Sequence, residues 1–261
     1  MTSLRTSLLT DRVRDAFSEA ADRYDRLSGL QQAIASQLAQ QLQGVLAHQR
    51  ILDVGTGTGY LAQQIQNSYP QAMVIGIDFA EGMMHKAFDK DRQLRWLAAD
   101  AKYLPFKKQG FDWVVSNLAY QWVNDLPRAF SEAHRVLVKE GRFVASLFGQ
   151  QTCNELFVAL SSTGVITDEL NRLLSVHDVQ ESMNQAGFSA GKIDSEKVVI
   201  KFKDLWQLLG WLKATGSNRL SSGKFLGLRG LKEANAYCLK HYPCEEGIGI
   251  TFEIIWIQAH A

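Results

Sequence analysis

The chain has 261 residues, 46% hydrophobic and 21% charged, with a formal net charge of +1. This composition suits a soluble globular fold with a sizeable core and gives no global reason to bind nucleic acid or a membrane surface. No apolar run reaches the roughly 18 residues that span a bilayer, and residues 1–10, with only Leu8-Leu9 as an apolar pair, do not read as a secretory signal, so a cytoplasmic location is the default expectation.

Residues 11–48 are predicted to be helical, with Leu38, Leu42, Val45 and Leu46 at helical spacing and Gly29 as a break. From 50 to 149, strands at 50–54, 73–78, 94–98, 112–117 and 142–148 alternate with helices at 60–67, 82–88 and 126–137. Alternation of this kind gives parallel strands joined by crossover helices on both faces. Beyond 150 the pattern predicts helices at 154–160, 170–174, 176–186, 204–213 and 231–241. Strands are expected at 197–202 and 249–258, with a Gly/Ser-rich connection over 216–230. Cys153, Cys238 and Cys244 form no C-x-x-C pair and have no paired His, which argues against a disulfide framework or a structural zinc site.

The run Ile51-Leu-Asp-Val-Gly-Thr-Gly-Thr-Gly59 is an apolar strand ending in an acid and a glycine turn. Glycines there let a ligand lie against bare backbone. Asp78 closes the next strand, about 20 residues on, where a carboxylate meets a ribose diol in α/β nucleoside sites. An adenosine-containing cofactor follows, and two compete. The dinucleotide fingerprint G-x-G-x-x-G needs a third glycine where Tyr60 stands. Asp53 would repel a pyrophosphate but suits the ammonium and sulfonium charges of S-adenosylmethionine. Asp53, Asp78, Asp100 and Asn117 all fall at strand carboxyl ends, the edge where open parallel sheets bind ligands.

Asp53-x-Gly-x-Gly-x-Gly59, Asp78, Asp100-Ala101 and Ser116-Asn117-Leu118 together resemble class I S-adenosylmethionine-dependent methyltransferases over roughly residues 45–150. The resemblance implies a doubly wound, mostly parallel seven-stranded α/β sheet. It also implies contacts of Gly55, Gly57 and Gly59 with the methionine part, of Asp78 with the ribose, and of Asp100 and Ala101 with adenine. Phe79, Met83, Asn117 and Leu118 join the expected cofactor set, and Phe79 and Leu104 are expected either to pack on the purine or to be simple core residues. Ala16-Phe17-x-x-Ala20-Ala21-x-x-Tyr24, Leu30-Gln31, Asn117-Leu118-Ala119-x-Gln121-Trp122 and Leu209-x-x-Leu212-Lys-Ala-Thr-Gly216 look like the malonyl-[acyl-carrier-protein] O-methyltransferase family of biotin synthesis. The loop reads Gly-Thr-Gly-Thr-Gly where that family often has Cys or Pro, and Lys139-Glu-Gly141 replaces Lys-Pro-Gly.

The narrower resemblance implies one domain over 1–261. In it, 11–48 is a helical lid, 49–150 the cofactor-binding core, 151–245 a substrate cap with remaining core elements, and 246–261 the last strand. It implies methyl transfer from S-adenosylmethionine to the free carboxylate of malonyl-acyl carrier protein or malonyl-CoA, with no metal. Such a carboxylate is already ionised near neutral pH, so no general base is expected. Tyr24, Gln31, Trp122, Lys213 and Arg219 are the expected substrate residues, the last two as carboxylate anchors. His85 and His134 are expected at the surface or packed. Residues 191–240 hold ten Lys and Arg against four Asp and Glu, either a solvated surface or a face that steers an acidic carrier. No RRM, KH or zinc-finger pattern supports a nucleic-acid partner. Other small-molecule methyltransferases of this fold, a non-catalytic cofactor binder and a dehydrogenase remain the alternatives.

Overall fold

The computed structural model describes residues 2–164, 173–217 and 227–261. Its centre is one sheet built from β1 (Arg50–Val54), β2 (Met73–Asp78), β3 (Arg95–Ala98), β4 (Phe111–Asn117), β5 (Leu137–Phe148), β6 (Ser189–Phe202) and β8 (Gly247–His260). A two-residue strand, β7 (Pro243–Cys244), pairs with β8 beside this path. The strand order is β3-β2-β1-β4-β5-β8-β6. The pairs from β3 through β5 are parallel, while β8 runs antiparallel to both β5 and β6. The mostly parallel seven-strand path matches the expectation. The chain leaves β1 toward β2 and β3, then returns as β4 on the other side of β1. That reversal opens a crevice at the carboxyl ends of β1 and β4.

Alternation along the strands divides the interior in two. Ile51, Trp113, Val115, Ile250, Phe252 and Ile254 enter one core, with α2 (Gly29–Gln40), α3 (Tyr60–Ser68), α6 (Asn154–Ser161), α8 (Leu205–Ala214) and α9 (Leu228–His241). Leu52, Val54, Val114, Phe143, Ala145, Ile255 and Ile257 enter the other, with α5 (Leu126–Val136) and α7 (Val176–Gln185). Both faces of the strands are apolar because both are covered. Side-chain caps set helix starts: Asp125 accepts from Arg128 N, Asp204 from Gln207 N, and Ser175 forms a capping box with Asp178.

The first helix, α1 (Thr2–Leu27), starts earlier than predicted, and the break falls at Ser28 rather than Gly29. Val13, Phe17, Ala20, Ala21 and Tyr24 recur at three- and four-residue spacing and face inward. That stripe lays α1 across α4 (Glu81–Lys90), where Gly82 lets the two backbones meet: a Cβ there would lie 2.6 Å from the Ser18 carbonyl oxygen. Arg23 Nε donates to the Ala214 carbonyl at 3.1 Å, and Trp211 Nε1 to that of Leu27 at 2.8 Å, tying α1 to α8. The helix expected at 170–174 falls largely outside the described residues; Leu174 forms a β-bridge with Gly149.

Candidate functional site

The β1–α3 turn is the floor of the site. Gly55 N–H donates to the Ile77 carbonyl at 2.8 Å, and a Cβ at Gly55 would come within 2.1 Å of the Ala119 Cβ. The loop after β4 therefore touches the glycine turn directly. Gly57 adopts φ +57° with open space around it, the arrangement that leaves backbone exposed to a ligand. Gly59 is packed from behind. It precedes α3 and backs onto Trp96, whose ring atom Cη2 would lie 2.5 Å from a Cβ there, and it lines neither of the cavities described below.

Two buried carboxylates flank this turn. Asp53 has no exposed surface, and its Oδ2 accepts from Thr56 Oγ1 at 2.5 Å. Its Oδ1 has no hydrogen-bond partner among the described residues, and neither has the buried Oε1 of Gln31. Burial pushes Asp53 up to about 7; nearby Asp78 adds to the rise, while the Thr56 hydroxyl and the Ala62 amide oppose it. Asp78 accepts from Gly57 N at 2.9 Å and Ala80 N at 2.8 Å, yet burial still lifts it to about 6. Two acids this costly to ionise await positive charge or donor groups.

Two cavities meet over the glycine turn. The larger, about 810 Å³ with its open mouth, is lined by Asp78, Phe79 and Met83 on one side and by Asp100, Ala101 and Leu118 among others. Its roof is aromatic: Phe17 of α1 meets Trp122 edge-on at 5.4 Å between ring centroids and Tyr24 at 6.4 Å. The second, about 410 Å³, holds Gln31, Asp53 and Thr58. Tyr24, Gly55, Gly57 and Asn117 border both. This size suits a small-molecule or cofactor site.

Asn117 joins lid to sheet: its Nδ2 donates to the Gln31 carbonyl at 3.1 Å, and its Oδ1 accepts from Ser146 Oγ at 2.9 Å. Leu118 takes φ +52° and turns the chain so that Tyr120–Trp122, one 3-10 turn, walls the larger cavity. Asp100 is steadied by Lys102, whose amide donates to Oδ1 at 2.9 Å and whose ammonium lies 3.5 Å from Oδ2. Burial, with Asp78 and Asp25, raises the Tyr24 phenol and keeps it protonated. The lid is clasped by Asp25, which accepts from Thr58 Oγ1 at 2.5 Å and pairs with Lys90 Nζ at 2.8 Å.

The expected cofactor residues other than Gly59 therefore converge on these cavities, as do Tyr24, Gln31 and Trp122. Gln31 lies with Asp53, in the second cavity rather than beside Trp122. Leu104 takes the core alternative, buried in the α5 side with its amide on Glu132 at 2.8 Å. Lys213 lines neither cavity. It is exposed in the last turn of α8, whose inward face is Leu205, Leu208 and Leu212. Arg219 lies outside the described residues. His85 is exposed, and His134 packs edge-on against Phe188 at 5.1 Å. Phe17, Asp25, Thr58, Lys102 and Tyr120 belong to the site but were not singled out for it. Phe17 and Tyr120 stand inside the quoted runs, so proximity in sequence was an available signal.

The basic segment does not form one field. Lys192 pairs with Asp194 at 2.5 Å, Lys201 with Glu245 at 2.8 Å and Arg229 with Glu233 at 3.0 Å. Lys224, like Arg219, lies outside the described residues. Cys153, Cys238 and Cys244 are free thiols, and no group of His, Cys, Asp and Glu with metal-holding geometry occurs among the described residues. No helix among them is long and apolar enough to cross a membrane.

A methyltransferase-domain family model matches residues 52–145. Malonyl-[acyl-carrier protein] O-methyltransferase of Gallionella capsiferriformans is 37% identical over 261 aligned positions, which cover 95% of this chain and 89% of that protein. Among solved structures, the YcgJ protein of a Bacillus superposes with a TM-score of 0.62 at 20% identity, covering 87% of this chain and 97% of that one. Phosphoethanolamine N-methyltransferase 2 of Haemonchus contortus, in complex with S-adenosyl-L-methionine, gives 0.56 at 18% identity, covering 86% and 51%. The cofactor is S-adenosylmethionine, and the unpartnered acceptors of Asp53 and Gln31 beside a donor-hungry Asp78 fit its ammonium group and ribose diol. By sequence kinship along nearly its whole length, the chain belongs to the malonyl-[acyl-carrier protein] O-methyltransferase family.

Proposed function

We propose that the protein methylates the free carboxylate of malonyl-acyl carrier protein, giving the methyl ester that primes pimeloyl and biotin synthesis. The observation that carries this reading is the near full-length kinship to enzymes of that name. The site supports it through an aromatic chamber beside acids already committed elsewhere. In this reading Asp53 and Gln31 hold the cofactor's ammonium, Gly55 and Gly57 lie along its methionine part, and Asp78 accepts from both ribose hydroxyls. Asp100 accepts from the adenine amino group, with Phe79, Met83, Ala101 and Leu118 against the ring system.

The bound cofactor supplies a methyl group on a sulfonium sulfur. On transfer the malonyl oxygen would bond to that carbon as the carbon–sulfur bond breaks and leaves its electron pair on sulfur. The chain's own contribution is positioning and exclusion of water. Phe17, Tyr24 and Trp122 form an apolar roof in which an anion and a sulfonium are brought together with little solvent to reorganise. No proton must be removed, since a carboxylate is ionised near neutral pH.

The test is mass spectrometry of malonyl-acyl carrier protein after incubation with the protein and S-adenosylmethionine. The expected product is heavier by one methyl group and reverts on ester hydrolysis. The same assay with malonyl-CoA measures how much the carrier itself contributes. Cofactor binding without any mass gain on either substrate would overturn the proposed acceptor.

A further inference from the structure

We infer that Tyr120 is a cofactor-recognition residue whose hydroxyl donates a hydrogen bond to a ring nitrogen of the adenine. The inference rests on the cofactor arrangement just proposed. Tyr120 is 1% exposed, lines the larger cavity, and carries a buried hydroxyl with no hydrogen-bond partner among the described residues. A buried O–H without an acceptor is destabilising, and such groups in native proteins call for an explanation. The ring is not free to swing the hydroxyl elsewhere. Phe130 lies 5.0 Å and Phe143 5.7 Å away between centroids, and those two rings also contact each other at 5.6 Å.

Position and chemistry together select the ligand atom. Tyr120 belongs to the same apolar cluster as Ala99, Ala101 and Val123, and Ala99 and Ala101 flank Asp100. It lines the same cavity as those three residues. The side-chain groups already assigned there are acceptors: Asp78 takes the two ribose O–H groups, and Asp100 takes the exocyclic amino group. The nucleoside's strong acceptors that remain are the ring nitrogens, and these need a donor. Tyr120 O–H is a donor. Among the described residues, the other buried unpartnered side-chain atoms, on Gln31, Asp53 and Gln121, are all acceptors. Burial also raises the Tyr120 phenol, so the proton is retained at every working pH.

The experiment is calorimetric titration of S-adenosylhomocysteine into the wild-type protein and Tyr120→Phe, with melting of both unliganded proteins. The expected result is a Kd raised about fivefold to tenfold in the variant. Its unliganded melting temperature should equal or exceed that of the wild type, because the orphaned hydroxyl is gone. Methylthioadenosine, which lacks the amino-acid portion, should show the same ratio. The 1-, 3- and 7-deaza analogues of S-adenosylhomocysteine locate the acceptor: one should bind the wild type more weakly than the parent yet lose nothing further in Tyr120→Phe. An unchanged Kd in a folded variant overturns the inference, as does a ratio that disappears with methylthioadenosine. Titrating Asp100→Ala, which removes the acceptor, in parallel separates the outcomes. If Asp100→Ala binds normally, the underlying adenine placement has failed; if it weakens while Tyr120→Phe does not, only the tyrosine has.

Discussion

Gly55 and Gly57 sit two residues apart and face opposite demands. Alanine at 55 drives its Cβ into Ala119 at 2.1 Å, so it should lower stability by several kcal/mol, in the range of about 1–3 kcal/mol or more for overpacking. Alanine at 57 meets nothing within 4 Å but must hold φ +57°, a strain of about 1–2 kcal/mol. We expect Gly57→Ala to fold, to melt slightly earlier, and to lose cofactor affinity out of proportion to that change. Equal melting temperatures for the two variants would sink this contrast. The acids carry a pH dependence. Asp53 at about 7 and Asp78 at about 6 lie above the ordinary carboxylate range. The folded protein therefore binds more protons than the unfolded chain between about pH 4 and 7, and stability of the unliganded protein from these groups falls as pH rises through that window. A cationic ligand favours the ionised acids, so affinity for S-adenosylhomocysteine should climb from pH 5.5 to about 7.5 and then level off. Calorimetry in buffers of different ionisation enthalpy should detect proton release near pH 6.5; a flat affinity profile would contradict the assignment of Asp53.

Among the elements, α1 is held over the site by polar contacts of modest strength. Asp25 bridges Thr58 of the glycine turn and Lys90 of α4, and Asp22 pairs with Lys86 at 3.1 Å. Partly exposed pairs of this kind are worth about 0–1 kcal/mol each. Asp25→Ala should accordingly leave the melting temperature nearly unchanged while accelerating cofactor release and amide exchange in residues 16–27. Stopped-flow displacement is the direct measurement, and an unaltered release rate would show that the clasp does not limit exchange. The same elements show what was legible in advance. Strands β1 to β4 were readable because each is a short apolar run bounded by turn residues, and the site was readable where acids and glycines close those runs. The first half of β6 was not: Ser189–Glu196 carries few apolar residues, since an edge strand exposed to solvent needs no hydrophobic signal. The start of β5 was not legible either: the expected helix takes in Leu137 and the expected strand begins at Arg142, because Lys139-Glu-Gly141 reads as a turn, and Glu140 does take φ +62° inside the strand. The exposure of Lys213 was not legible because a resemblance places a segment but not the outward face of its helix.

At the scale of the molecule, β8 sets the architecture. It fills the gap between β5 and β6, pairs with both, and alternates Ile254 into one core and Ile255 into the other. Ile255→Ala should thus cost about 2–5 kcal/mol and lower a single cooperative transition rather than melt one layer, which calorimetric unfolding can check. The lid adds a consequence for how the chain matures. Arg23 and Leu27 are fastened to Ala214 and Trp211, so α1, once synthesised, waits for some 190 further residues before these partners exist. The nucleoside floor, assembled from residues 50–120, needs no such long wait. Refolding should then show the sheet formed before the binding pocket is closed, and tight retention of cofactor should be among the last properties to appear. A newborn chain would stay unable to trap its methyl donor until α8 has emerged.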